Sequence, residues 1–222
     1  MDQLSGERIR QPKTLQKIAY DKIKYLLTSG KMQNDEVYSA NKLAQTLGVS
    51  RTPIREALLQ LTGEGLLRSL GRRGFQVNKF TKKQIRDLFE VRRLIEPFVI
   101  EQMCGILNDD DIAPLIAAMD AACKGKKKDF DKFIEADKQF HMMLIDRHGN
   151  EIFMNVMENI RDLISVLGLQ AISKPGRVKE VIAEHNKIVE GLLKNEPEMA
   201  VKGMLDHLHS TEETLIGIMD KN

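Results

Sequence analysis

Beyond residue 80 the chain has no segment in which apolar and polar residues alternate with a period of two. Its apolar residues recur instead at helical spacing in six stretches, roughly 82–104, 109–123, 129–148, 151–172, 176–194 and 197–219. The breaks between them carry Gly105, Gly125, Gly149-Asn150, Pro175-Gly176 and Asn195-Glu196-Pro197. Helices joined this closely bury their apolar stripes against one another, so this region is predicted to be an all-α helical bundle. Thr81-Lys82-Lys83-Gln84 has the capping-box pattern that would open the first helix. With aromatic residues at 5% and no Trp, the core must come from Leu, Ile, Val and Met. The Lys126-Lys127-Lys128 run falls in a break and is expected to be a solvated loop.

The first 80 residues have a different pattern. Residues 14–29 place Leu15, Ile18, Ile23, Leu26 and Leu27 near helical spacing, with Gly30 as the stop. Ser39 caps a second predicted helix carrying Leu43, Ala44 and Leu47, and Gly48 breaks it. Thr52 is the expected cap of a third, because Pro53 suits a first helical position, and that helix runs through Ile54, Ala57, Leu58 and Leu61 to about Gly63 or Gly65. Two short segments follow, 66–70 and 75–78, around Gly71-Arg72-Arg73-Gly74, which predicts a β-hairpin with a basic tip. Three helices and a hairpin make a winged helix-turn-helix. Asn78-Lys79-Phe80 has the character of a linker, so the expected domains are 1–78 and 79–222, and the fold class is mainly α.

Charge follows the same division. Residues 1–80 hold 14 Lys and Arg against 7 Asp and Glu, a net of +7, and residues 81–222 hold 20 against 25, a net of −5. A basic first part joined to an acidic remainder suits a chain in which only the first part meets a polyanion. A recognition helix presents its N-terminal residues to base edges in the major groove. Here those are Ser50, Arg51, Thr52 and Arg55. The guanidinium fork is the group that bonds guanine O6 and N7 together. Thr52 and the helix N-terminus suit a phosphate. Arg72 and Arg73 at the hairpin tip would reach the minor groove or the DNA backbone. A lone pair of arginines on a helix is ordinarily solvated; the joint occurrence of break, turn, cap, arginines and basic wing argues for DNA.

The run Leu47-Gly48-Val49-Ser50-Arg51-Thr52-Pro53-Ile54-Arg55-Glu56-Ala57-Leu58, followed by Leu61 and Glu64-Gly65-Leu66, resembles the signature of the GntR family of bacterial regulators. The resemblance implies that Arg51 and Arg55 read the operator and that Gly74 turns the wing. In one respect this chain departs from the pattern. GntR proteins often carry an arginine ten residues before the position of Arg51, and here Asn41 stands there. Asn41 still has groups for a base or a phosphate, so the operator is expected to differ from the family's usual one.

The second region holds all five histidines, 141, 148, 185, 207 and 209. Asp137 and His141 share a helix face four residues apart. His141, His185 and His207 each sit among apolar neighbours, and a buried imidazole needs a partner. Three imidazoles and a carboxylate meeting in a bundle would satisfy one another through a divalent cation, each with a further acceptor for its second ring nitrogen. Spacing alone leaves the ordinary alternative open, that these are satisfied core or surface histidines. His148, at a helix end, is expected to be a surface residue, and His209 lies on a different face from His207; neither is expected to have a ligand role.

Residues 81–222 resemble the ligand-binding domain of the FadR subfamily, with Glu90-Val91-Arg92-Arg93-Leu94-Ile95-Glu96-Pro97 near the start. The resemblance implies an Asp-x-x-x-His, a later Glu-His-x-x-Ile and a final His as metal ligands, here Asp137 and His141, Glu184-His185-Asn186-Lys187-Ile188, and His207. Such nitrogen-rich ligation suits Zn or Ni. A small organic acid would then be sensed beside the metal, with Arg92 and Arg161 as candidate effector contacts; for both, an ordinary salt bridge is the competing reading.

The expectation is a cytoplasmic DNA-binding regulator, a homodimer on a palindromic operator, acting as a repressor and not an enzyme. One alternative makes the metal itself the signal. A remote one is a metal-dependent hydrolase with a DNA-binding head, although no HExxH motif is present. The polar first residues predict no secretory leader and no apolar run predicts a membrane span. Cys104 and Cys123 have no metal or redox spacing.

Overall fold

The computed structural model describes residues 14–124, 130–172 and 174–220. Two compact units emerge, one reaching to Leu27 and resuming over Met32–Asn78, the other made of Thr28–Lys31 and everything from Lys79 onward.

In the first unit, α1 (Leu15–Thr28) buries Ala19, Tyr20, Ile23 and Leu27 on one stripe. Leu15 and Ile18, expected on the apolar face, are exposed. Ile18 falls off the face of the 19-23-27 series, and Leu15, one turn before Ala19, is the first residue of the helix. α2 (Ala40–Leu47) is capped by Ser39, whose Oγ accepts from the Lys42 N–H at 3.1 Å, and ends on the left-handed Gly48. α3 (Arg51–Gly63) starts two residues earlier than expected. Ser50 rather than Thr52 occupies the N-cap, and Thr52 and Pro53 lie within the first turn, where a missing N–H costs nothing. Ile54, Ala57, Leu58 and Leu61 are fully buried.

The hairpin pairs β1 (Leu67–Ser69) antiparallel with β2 (Phe75–Val77), and a single 3-10 turn, Gly71–Arg73, forms its tip. Phe75 also exchanges backbone hydrogen bonds with Tyr38, at 2.7 and 2.9 Å, fastening the wing to the segment before α2. Gly74 makes this closeness possible. Its φ is +125°, and a Cβ there would lie 2.6 Å from the Tyr38 carbonyl oxygen.

The second unit contains α4 (Lys82–Met103), α5 (Asp109–Lys124), α6 (Phe130–His148), α7 (Glu151–Ile172), α8 (Arg177–Leu193) and α9 (Pro197–Met219). These match the six predicted stretches to within a residue or so at each end. The capping box forms as expected. Thr81 Oγ1 accepts from the Gln84 N–H at 3.2 Å, and Gln84 Oε1 accepts from the Thr81 N–H at 2.9 Å. α9 packs along α8 and α4, α6 packs against α5, α7 and α4, and one apolar core runs between them through Phe89, Phe133, Phe140, Met157, Ile188 and Leu208. The Lys126–Lys128 expectation lies outside the described residues. No described helix is long and apolar enough to cross a membrane.

Candidate nucleic-acid interface and metal centre

In the first unit, the N-terminal turn of α3 faces the wing across an open cleft of roughly 570 Å³. Asn41 from α2, Arg51 and Arg55 from α3, and Arg72 and Gly74 from the wing line it, together with Ser39, Ala40, Leu59, Ser69, Gly71 and Phe75. No carboxylate is among these residues. Arg51 and Arg55 are one turn apart and exposed, as a base-reading pair must be. Ser50 and Thr52 lie at the same helix end, both exposed; the Ser50 side chain makes no capping bond. Arg73 is exposed on the wing but does not line the cleft. An exposed, acid-free, arginine-lined surface at a helix N-terminus suits a phosphate-bearing duplex.

In the second unit, α6, α8 and α9 bring Asp137, His141, His185 and His207 together, with one ligand atom from each lying within 4.8 Å of all the others. The histidines are buried, and the Asp137 side chain is 14% exposed. Each imidazole is held through Nδ1. His141 Nδ1 meets the Glu96 carboxylate of α4, His185 Nδ1 donates to the Val181 carbonyl at 2.8 Å, and His207 Nδ1 meets Glu184 Oε2 at 2.8 Å. These bonds put the ring proton on Nδ1 and leave the Nε2 lone pair for the centre. The Nε2 atoms of His185 and His141 lie 3.3 Å apart, and Asp137 Oδ1 lies 3.5 Å from His185 Nε2. Lone pairs and a carboxylate oxygen converging at this range repel unless a cation lies between them. The donor set therefore fits a divalent metal, and these four residues are the ones that would hold it.

Burial favours neutral rings at His141 and His185, and the buried arginines favour ionised acids at Asp137 and Glu96. Burial lowers both His141 and His185, the latter to about 4, with the charge of His207 adding to the effect. Burial alone would raise Asp137, but Arg161 and the three histidines outweigh it and hold the carboxyl well below the usual range. Glu96 is held low in the same way by Arg92 and His141.

Both arginines singled out from the sequence lie in this centre. Arg161 of α7 bonds Asp137 Oδ2. Arg92 of α4 donates from Nε to Glu96 Oε1 at 2.6 Å, and its Nη1 and Nη2 are buried with no hydrogen-bond partner. His209 is exposed and lies outside the cluster. His148 is not a plain surface residue: it is half-buried, its ring centroid 5.7 Å from that of Phe98 and 5.6 Å from that of Phe153.

Three residues with no role assigned from the sequence complete the centre: Glu96, Glu184 in its accepting role, and Arg177. Arg177, 2% exposed, bonds Glu184 with both Nη atoms and reaches Ser210 and Thr211 of α9 at 2.9 Å. A signal for Glu96 existed. It falls on the same α4 stripe as Phe89, Arg92, Ile100 and Met103, where a charge is out of place unless it is paired.

Comparison with known proteins agrees with both units. Residues 15–77 match the model for bacterial regulatory proteins of the gntR family, and residues 87–210 match the FCD domain. The chain is 31% identical over 168 residues to the gluconate operon transcriptional repressor of Bacillus licheniformis, covering 74% of this chain and 67% of that one. It is 26% identical over 204 residues to the HTH-type transcriptional regulator YdhC of Bacillus subtilis, covering 91% of each. The fold is shared with E. coli McbR/YncC, with a TM-score of 0.80 and 20% identity over 95% of this chain and 100% of that one. A GntR regulator from Rhodococcus sp. RHA1 shares it as well, with a TM-score of 0.82 and 18% identity over 91% and 97%. The chain belongs to the GntR family of bacterial transcriptional regulators, with a DNA-binding winged helix-turn-helix followed by an FCD domain.

Proposed function

We propose that this regulator is a repressor whose operator affinity is set by a small organic acid, bound beside a divalent metal at Asp137, His141, His185 and His207. The observation that carries this reading is the convergence of four ligand atoms within 4.8 Å, with every histidine tethered through its other nitrogen. The ion, when bound, supplies positive charge that an anionic group approaches. Zn and Ni suit the donors. Arg161 orients Asp137, and Arg92 is the residue with donors to spare for an effector. Two relatives are named repressors of a gluconate operon, which favours repression over activation here.

The working form is a homodimer on a palindromic operator in the cytoplasm, read by Arg51 and Arg55 with Asn41, Ser50, Thr52, Arg72 and Arg73 around them. A stripe of exposed apolar side chains supports self-association: Leu94 and Phe98 on α4, and Ile152 and Val156 on α7. The effector changes DNA affinity only as far as it prefers one arrangement of the dimer over the other.

The test combines metal analysis with operator binding. Mass spectrometry of the purified chain finds about one metal per protomer, and His141→Ala with His185→Ala abolishes it. Anisotropy titration of the operator is then run on metal-free protein, metal-loaded protein, and metal-loaded protein with organic acids. A response only to the acids supports the proposal. A response to metal alone would make the ion the signal, and metal content unchanged in the double variant would overturn the site.

A further inference from the structure

The charged side chains around the four ligand positions are matched in pairs. Arg92 faces Glu96, Arg161 faces Asp137, Arg177 faces Glu184 on its buried side and the exposed Glu180 at the surface, and Lys138 faces Asp162. An imidazole that ligates a metal through Nε2 does so as the neutral ring, so the three add no charge to the loaded site. This shell is balanced by itself, so a divalent ion at its centre brings two positive charges that none of these pairs compensates. Uncompensated charge in a buried site is expensive, and a single carboxylate would leave one positive charge over.

The arginines differ in what their ends do. Both Nη atoms of Arg177 are bonded, to Glu184, Ser210 and Thr211. Arg161 uses Nη2 on Asp137, and its Nε is buried without a hydrogen-bond partner. Arg92 is different. Its side chain is 0% exposed, its Nε is engaged by Glu96, and both terminal nitrogens are buried without an acceptor among the described residues. Two parallel N–H groups on a planar fork match a carboxylate bidentately. The same Glu96 that anchors Arg92 also anchors His141, so this fork is tied to the ligand cluster through one intervening side chain.

We infer that the effector is a small dicarboxylate, one carboxylate lying at the metal centre and the other received by Nη1 and Nη2 of Arg92. The inference rests on the organic-acid reading above and narrows it. It accounts for two observations at once, the charge left over by the ion and the single unengaged guanidinium fork.

The test is calorimetric titration of the metal-loaded full-length wild-type chain with dicarboxylates of three to six carbons. Each is paired with the monocarboxylate of the same length. The best dicarboxylate binds about tenfold or more tighter than its partner, the scale of one charge-assisted pair. Arg92→Met, compared with wild type as the ratio of the two paired acids' affinities at saturating metal so that any loss of metal affinity cancels, removes that preference, and Arg92→Lys restores part of it. Equal binding of the paired acids would overturn the dicarboxylate inference and leave the organic-acid reading standing. A wild-type preference that survives in Arg92→Met would also overturn it, by removing the assigned receptor. Failure of every acid to bind metal-loaded protein would overturn both. The wild-type comparison decides even if the variants fail to fold.

Discussion

Glu184 Oε2 lies 2.8 Å from Nδ1 of His207, and the same carboxylate accepts both Nη groups of Arg177, at 2.6 and 3.1 Å. The chain of contacts runs from the first turn of α8 to a ligand position on α9. Burial pushes the Glu184 carboxyl up, but the hydrogen bonds from His207 and Arg177 pull it down to about 2, so it is charged at any physiological pH. A fixed, charged acceptor on Nδ1 keeps the proton there and the lone pair on Nε2. Arg177→Met is expected to weaken metal affinity by roughly 10–100-fold, the usual cost of losing an outer partner. Competition with a chelator measures it. Arg177→Lys should recover part of the loss, which a purely structural role would not predict.

The depressed histidines have a consequence for pH. His185 is lowered to about 4 by burial first and by the charge of His207 second, whereas in the unfolded chain it titrates near ~6.5. Between these values the unfolded chain binds more protons than the folded one, so stability rises with pH across that window. The contribution is fully present above the unfolded value and is lost as pH falls toward about 4. The metal-free protein should therefore show a Tm that declines from pH 7 to pH 4.5 in a thermal scan. A flat or rising Tm would mean that His185 is solvated.

Much of the fold was legible because its breaks are chemical. Gly105, Gly149, Gly176 and Pro197 all sit at helix ends, and Gly30, Gly48 and Gly74 turn the chain where the spacing placed them. The histidines of the candidate site were legible because a histidine on an apolar stripe is conspicuous. Their partners were less so. Glu96 stands out as a charge on the buried stripe of α4, but Glu184 and Arg177 look on a helical wheel like any solvated charge, and only the folded bundle brings them to the imidazoles. Spacing also treated Arg92 and Arg161 alike. Their difference comes from Asp137, which reaches across from α6 to engage one of them. The start of α3 was misplaced because proline is tolerated throughout a first turn, so Pro53 does not distinguish Thr52 from Ser50 as the cap.

On the DNA side the arginines should separate by role. Arg51→Ala or Arg55→Ala should each cost about 1–3 kcal/mol of operator binding and relax sequence preference. Arg72→Ala, on the wing, should weaken operator and random DNA alike and reduce the salt slope by about 1. Anisotropy titrations over a range of salt, with operator and scrambled duplexes, distinguish the two behaviours. Equal loss on both duplexes for Arg51→Ala would remove it from base reading.

The closest approach of α8 and α9 offers a last test, because it sets how the metal residues face one another. A Cβ on Gly191 would lie 2.5 Å from the backbone N of Ala200 and 2.8 Å from its Cα, so the two helices meet backbone to backbone there. His185 lies on α8 and His207 on α9, each within about two turns of that contact. Gly191→Ala must push the helices apart, because the obstruction is main chain and cannot rotate away. Overpacking of this kind costs about 1–3 kcal/mol, and here it should also weaken metal binding by moving His207 off its line with His185. Gly217, on α9, is the control. A Cβ there meets nothing within 4 Å, so Gly217→Ala should leave metal affinity unchanged and raise stability by up to ~1 kcal/mol through helix propensity. Denaturant melts and chelator competition on the two variants read both effects, and unchanged metal affinity in Gly191→Ala would show that the site tolerates the shift.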